Sequence, residues 1–164
     1  MADEHAEEPD FLKEPPSFFP YMQGELPDGH EELNRELVEV QFDHIVVSES
    51  DDTRQYYVLL TDGRRHLMIT IGGFEATAIS YGAEGIKTDR PMTHDLLAKF
   101  LETLGARIDR IVIDDLWNGT YFAKLYIKRG KEEFEIDCRP SDAIALAVRL
   151  GVQLYAIDGI LRGD

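Results

Sequence analysis

Cysteine is almost missing from this chain, with Cys138 the only one among 164 residues. An internal disulfide and a cysteine-rich zinc site are therefore excluded, and a reducing compartment is expected. Long apolar runs are missing too. No stretch of about 18 apolar residues occurs, and no positively charged segment followed by an apolar run opens the chain, so neither a membrane span nor a signal peptide is expected. The cytoplasm is the expected location, and membranes are not expected partners. Positive charge is scarce: 17 Lys and Arg stand against 32 Asp and Glu, a net charge of −15. Phosphate contacts supply much of the affinity for nucleic acid, so this balance argues against a simple nucleic-acid-coating protein. It leaves room for an enzyme that touches phosphates locally or through a metal.

The imbalance is uneven along the chain. Residues 1–39 hold twelve acids and two bases, net −10, while the remaining 125 residues carry only −5. Five of the seven prolines (Pro9, Pro15, Pro16, Pro20 and Pro27) fall among those early acids, a composition that resists regular structure. Residues 1–36 are accordingly expected to be a largely irregular tail, and 37–164 a single domain. Phe11, Leu12, Phe18, Phe19, Tyr21 and Met22 make that tail more apolar than a solvated linker needs.

Strands are expected over Leu37 to Val47, Gln55 to Thr61 and Arg64 to Ile71, with Asp62-Gly63 as a two-residue hairpin loop. That loop would set Val58 opposite Leu67 and Tyr56 opposite Ile69. Tyr57, Leu59 and Met68 then form a second apolar face on the same hairpin, which predicts a homodimer or higher homo-oligomer. Gly72-Gly73 precedes a short apolar helix from Phe74 to about Ala83 with Glu75 in its first turn. A helix over 94–104 follows, with Thr93 as its cap, His94 and Asp95 in an exposed first turn, and Leu97, Phe100, Leu101 and Leu104 as a buried stripe.

A second meander runs over Arg107 to Leu116, Thr120 to Lys128 and Lys131 to Cys138, turning at Asn118-Gly119 and Arg129-Gly130. Asn118-Gly119-Thr120 is formally a glycosylation sequon, but here it reads as a hairpin turn. Phe122, Lys124, Tyr126 and Lys128 alternate aromatic and basic groups as a base-stacking platform would. The neighbouring strand tempers that reading. A loop at 129 and 130 pairs Leu125 with Phe134 on the inner face and sets Lys124 against Glu135 on the outer one, where acids neutralise the lysines.

The stretch from Asp137 to Arg149, D-C-R-P-S-D-A-I-A-L-A-V-R, carries the most chemistry. Pro140 cannot donate to a sheet and biases Arg139 away from helical angles, so the strand should end there. Ser141 is the expected helix cap, and Asp142 sits where the positive end of the helix dipole favours an anion. Ala143 to Val148 has no polar side chain, and a helix apolar all round is normally buried all round. Asp137, Arg139 and Asp142 are thereby crowded at the rim of a core.

Both meanders share one offset of 67 residues. Asp62-Gly63 maps to Arg129-Gly130, Ile69 to Ile136 and Glu75 to Asp142, which predicts an α+β fold from a duplicated unit of three strands and a helix. The two intertwined repeats would cover about 40–85 and 107–152, with antiparallel or mixed sheets and packed helices. A last short strand is expected from Val152 to Ile157.

From Val38 to Ile160 the chain resembles the bifunctional nuclease domain family. The resemblance is carried by Arg90-Pro91-Met92-Thr93-His94-Asp95-Leu96-Leu97, by Asp115 to Ala123 (D-L-W-N-G-T-Y-F-A) and above all by Asp137 to Ala147. Met92, Cys138, Met68 and Thr70 depart from the usual pattern, and none of them is a charged motif residue. The resemblance implies an α+β domain, often dimeric, that cleaves RNA and DNA. Chemistry then suggests the roles. Asp137 and Asp142 are candidate ligands for Mg²⁺ or Mn²⁺, hard cations that prefer oxygen. Arg139 is the candidate phosphate clamp, His94 the general acid or base, Asp95 its orienting partner, and Glu75 a second position equivalent to Asp142. Arg90, Lys124 and Lys128 are candidate substrate contacts. The alternative is a non-catalytic oligomeric module in which Arg139 pairs with Asp137 or Asp142 and merely locks strand to helix.

Overall fold

A computed structural model describes residues 33–50 and 53–163; the apolar and proline-rich stretch expected before Leu33 lies outside them. The described residues form an α+β domain: one seven-stranded mixed sheet and three α-helices. The elements run β1 (Leu37–Ser50), β2 (Thr53–Thr61), β3 (His66–Ile71), α1 (Gly73–Glu84), α2 (Thr93–Thr103), β4 (Arg107–Trp117), β5 (Thr120–Arg129), β6 (Glu132–Cys138), α3 (Pro140–Leu150) and β7 (Leu154–Ile157). A short 3-10 turn, Asp158–Ile160, follows.

The sheet order is β3-β2-β1-β7-β4-β5-β6. The last strand joins the two meanders, pairing antiparallel with β1 and parallel with β4. Leu33 to Glu36 already belong to this domain, because the Asn34 and Glu36 carbonyls accept bonds from Gly159 and Asp158. Inner-face residues of the strands, among them Val58, Leu60, Ile111, Ile113 and Ala123, are fully buried and share one core with α3.

The Asn118-Gly119 hairpin forms as expected, with Trp117 opposite Thr120 and positive φ at both loop residues. The other two hairpins keep the expected faces but not the expected partners. Val58 lies opposite Ile69 rather than Leu67, and Leu125 opposite Ile136 rather than Phe134. The cause is the same in both. Gly63 (φ 90°) and Gly130 (φ 59°) occupy the first loop position, where a positive φ reverses the chain, so each loop is Gly63-Arg64 or Gly130-Lys131. Moving the loop one residue on shifts each partner by two and leaves every side chain on its face.

Both hairpins shift together, so the offset of 67 persists: the pair Val58–Ile69 corresponds to Leu125–Ile136, and α1 and α3 begin at Gly73 and Pro140. This correspondence of order and register is consistent with a duplicated unit, which stays a proposal.

The cap assignments differ from expectation. Helix α3 starts at Pro140 with Arg139 as N-cap residue, so Ser141 is buried inside the first turn and caps nothing. Proline suits the first helical position because its missing N–H would be unpaired there anyway. Met92 precedes α2 in the same way, and it is Asp95, not Thr93, that satisfies the end of that helix by accepting from the Met92 N–H at 2.9 Å.

Candidate active site

The N-terminal turns of α1 and α3 meet at one guanidinium. Arg139 Nε and Nη2 donate to Asp142 Oδ2 and Oδ1 at 2.8 and 3.0 Å, and Nη1 donates to Glu75 Oε1 at 3.1 Å. Glu75 and Asp142 are each the third residue of their helix, so acids at corresponding positions of α1 and α3 grip the same cation. Gly72 makes this possible on the α1 side, since a Cβ there would run into the Glu75 carboxylate.

From α2, His94 Nε2 lies 3.0 Å from Asp142 Oδ1. An ionised carboxylate only accepts, so Nε2 is the donor and Nδ1 is left for proton exchange. His94 is 8% exposed, the one residue of α2 buried outright. The expectation of an exposed first turn was therefore wrong for His94: the turn faces α3, and the imidazole reaches its partner 48 residues away along the chain.

Burial of Asp142 alone would push its carboxyl up, but the bonds from Arg139 and His94 outweigh that and hold it below the ordinary range. The Asp142 bonds in turn push the Arg139 guanidinium up. At neutral pH the cluster thus holds a carboxylate and a guanidinium, with the His94 Nε2–H directed at the carboxylate.

Asp95 is not part of it. Its Oδ1 accepts from Arg149 Nε at 2.6 Å, which holds its carboxyl below the usual range, and it does not orient His94. Asp142 does that. Arg149, given no role from the sequence, also donates through Nη1 to the carbonyls of Ala78 and Ala145 at 2.7 and 2.9 Å, tying α1, α2 and α3 together. The available signal was its position, as the one charge on α3 after Asp142.

Asp137 stands apart. On β6 it alternates with Ile136 and Cys138 and pairs across to Lys124, on the sheet face turned away from the helices. Burial first, and then the nearby Asp114 charge, push its carboxyl up. Asp137 and Asp142 therefore do not converge as a ligand pair, and no group of three or more His, Cys, Asp or Glu suited to a metal occurs among the described residues. Cys138 is no nucleophile: burial pushes its thiol up to about 12, and it donates to the Ala123 carbonyl.

Lys124 and Lys128 lie on that same outer face, each held by two acids. Lys124 meets Asp114 and Glu135 at 3.4 and 2.5 Å; Lys128 meets Asp109 and Glu133 at 3.0 and 3.4 Å. Asp109 and Asp114 sit at irregularities in the β4–β5 register, where a bulge adds a residue and re-aims a side chain. Arg90 is exposed and has no ion pair among the described residues.

The chain is thus an α+β protein with an Arg–Asp–His cluster at the N-terminal turns of its helices. Residues 58–163 match the bifunctional nuclease domain family, and the chain is a member of that family. Two uncharacterised proteins, from two strains of Mycobacterium tuberculosis, are each 38% identical to it over 100 residues, 61% of this chain. The matched region takes in 59% of the length of those relatives.

Proposed function

We propose that the chain hydrolyses phosphodiester bonds of RNA and DNA at the Arg139–Asp142–His94 cluster. The observation that carries this reading is the 3.0 Å contact between His94 and Asp142 in a member of a nuclease-domain family. Hydrolysis needs a proton moved at the attacking water or the leaving oxygen, and charge stabilised on the phosphoryl oxygens. His94 exchanges the proton through Nδ1 while Asp142 fixes the ring. Arg139, with its side chain 65% exposed, turns from its acids to hold a phosphate through two parallel bonds. Glu75 keeps Arg139 in place until substrate arrives, and Arg90, exposed and without an ion pair among the described residues, is the outlying cation assigned to substrate, because Lys124 and Lys128 are committed to acids. Participation of Mg²⁺ or Mn²⁺ is part of the proposal. Its protein ligands would be Asp142 and Glu75 and not Asp137; two carboxylates are too few for a site of their own, so substrate phosphate oxygens and water would complete the coordination. A homo-oligomer is the expected assembly and the cytoplasm the expected compartment.

A second reading rests on the same guanidinium. All three Arg139 nitrogens are already bonded to carboxylates, as in a lock between strand and helices within a non-catalytic binding module. The two readings part on mutation. In a nuclease, His94→Gln, Asp142→Asn and Arg139→Lys lower cleavage of single-stranded RNA and DNA by about a hundredfold or more, leave the melting temperature within a few degrees, and EDTA abolishes the wild-type activity. Full, EDTA-resistant cleavage in all three variants removes the site from the reaction. Failure of rigorously purified wild type to cleave either substrate gives the case to the binding module.

A further inference from the structure

Phe74 is the most exposed large apolar residue among the described ones, at 91%. A lone apolar side chain on a surface is ordinary; the place of this one is informative. Helix α1 begins at Gly73, and successive residues of a helix turn by about 100°. Ala76 points into the protein and is buried. Gly73 lies against the Tyr56 ring, where a Cβ would stand 3.2 Å from Cε2, and Glu75 reaches Arg139 at 3.1 Å. Phe74 therefore projects opposite Ala76, between the side facing Tyr56 and the side facing Arg139. Helical side chains tilt toward the N-terminus, so the ring leans over the end of α1 at which the exposed guanidinium is held.

That neighbourhood indicates what the ring meets. Phe74 and Glu75 have Cα atoms about 3.8 Å apart, so a phosphate on Arg139 has its own nucleoside beside the ring. A net charge of −15 and two carboxylates around one guanidinium leave little attraction for a phosphate backbone. A neutral contact has to supply affinity instead, and an aromatic face does so by stacking any base. Neither a stacked base nor a clamped phosphate involves the ribose 2′-hydroxyl, by which a protein tells RNA from DNA. Bases inside a duplex are stacked on one another and do not reach such a ring.

We propose that Phe74 is the base platform of this site: it stacks the nucleobase next to the phosphate held by Arg139, and so selects single strands of either sugar over duplexes. The inference rests on the nuclease reading of the cluster, and its test separates the two. In steady-state cleavage of short oligonucleotides, Phe74→Ala raises KM for single strands about tenfold or more and leaves kcat within about twofold. Phe74→Trp restores KM, whereas Phe74→Leu, apolar but without a ring, does not. An abasic nucleotide beside the scissile bond costs the wild type a similar factor and costs Phe74→Ala nothing further. In a wild type that cleaves, an unchanged KM in Phe74→Ala, or full recovery by Phe74→Leu, overturns the platform and leaves the nuclease reading standing. An equal rise in KM for duplexes overturns it too. So does a Phe74→Ala variant altered only in its sedimentation, which assigns the ring to a protein contact. A wild type that cleaves nothing ends the nuclease reading, and the fluorescence of 2-aminopurine in a single strand then decides the platform. Quenching by the wild type but not by Phe74→Ala upholds a stacked base, and quenching by neither refutes it.

Discussion

Helices α2 and α3 are the same length, eleven residues each, and lie against one another, but the fold treats them oppositely. From Pro140 to Ala147 every α3 residue except Asp142 is buried. In α2 the one residue buried outright is His94; of the stripe expected to be buried, Leu97, Phe100 and Leu104 face outward and Leu101 alone packs, half-buried, against the core. An all-round apolar helix has no solvent-tolerant orientation, so burial on every side is forced. An amphipathic helix demands only that one face be covered and says nothing of whether its own domain or another chain covers it. Two polar contacts hold α2 down in place of a buried stripe: His94 to Asp142 and Asp95 to Arg149. The site chemistry sits on this seam.

The sharpest way to break this contrast is to truncate one side chain on each helix. Ile144, fully buried in α3, leaves a cavity on Ile144→Ala that costs about 2–5 kcal/mol in denaturant unfolding. Leu104→Ala on α2, measured in solutions dilute enough to keep the chain monomeric, changes stability by about 0.5 kcal/mol or less. Equal losses at the two positions would mean that α2 is packed after all.

The seam itself gives the next effect. Arg149 is 8% exposed and Asp95 38%, so one end of this pair is well solvated and its Coulomb energy is screened. Arg149→Met should cost about 1–3 kcal/mol, mostly from the lost charge-assisted bonds to the Ala78 and Ala145 carbonyls. Faster hydrogen exchange should appear where α1 and α2 meet α3, and an unchanged exchange pattern would contradict this role for Arg149.

The smallest effect is a pH dependence. Bonds from Arg149 and from Arg139 with His94 hold Asp95 and Asp142 below the ordinary carboxylate range. A depressed folded-state value means that the unfolded chain binds these protons more readily. Their stabilisation is therefore fully present above about pH 4, the unfolded range, and is lost as pH falls through the lower folded values. Asp142→Asn removes part of this acid sensitivity. Thermal melts of the variant and the wild type between neutral and strongly acidic pH should converge at the acid end; parallel curves would show that Asp142 is not held low.

Strand identity and face follow from local rules, which is why the order of elements and the burial of α3 were legible in the chain. The partners across two hairpins were not, because Asp62-Gly63 and Arg129-Gly130 leave open which turn type the glycine serves, and its place at the first loop position moves each pairing by two. Asp137, Arg139 and Asp142 are neighbours in sequence, but alternation along β6 followed by the turn of α3 sends Asp137 to the outer face and Asp142 to the helices. His94 and Asp142 show the reverse: nothing local relates residues 48 apart, and only the packing of α2 on α3 joins them. The amino-acid sequence determined the elements and the residue types available for chemistry, because propensity and periodicity are local. The tertiary structure decided which charges meet, because a hydrogen bond of about 3 Å depends on how helices pack, and periodicity cannot encode that.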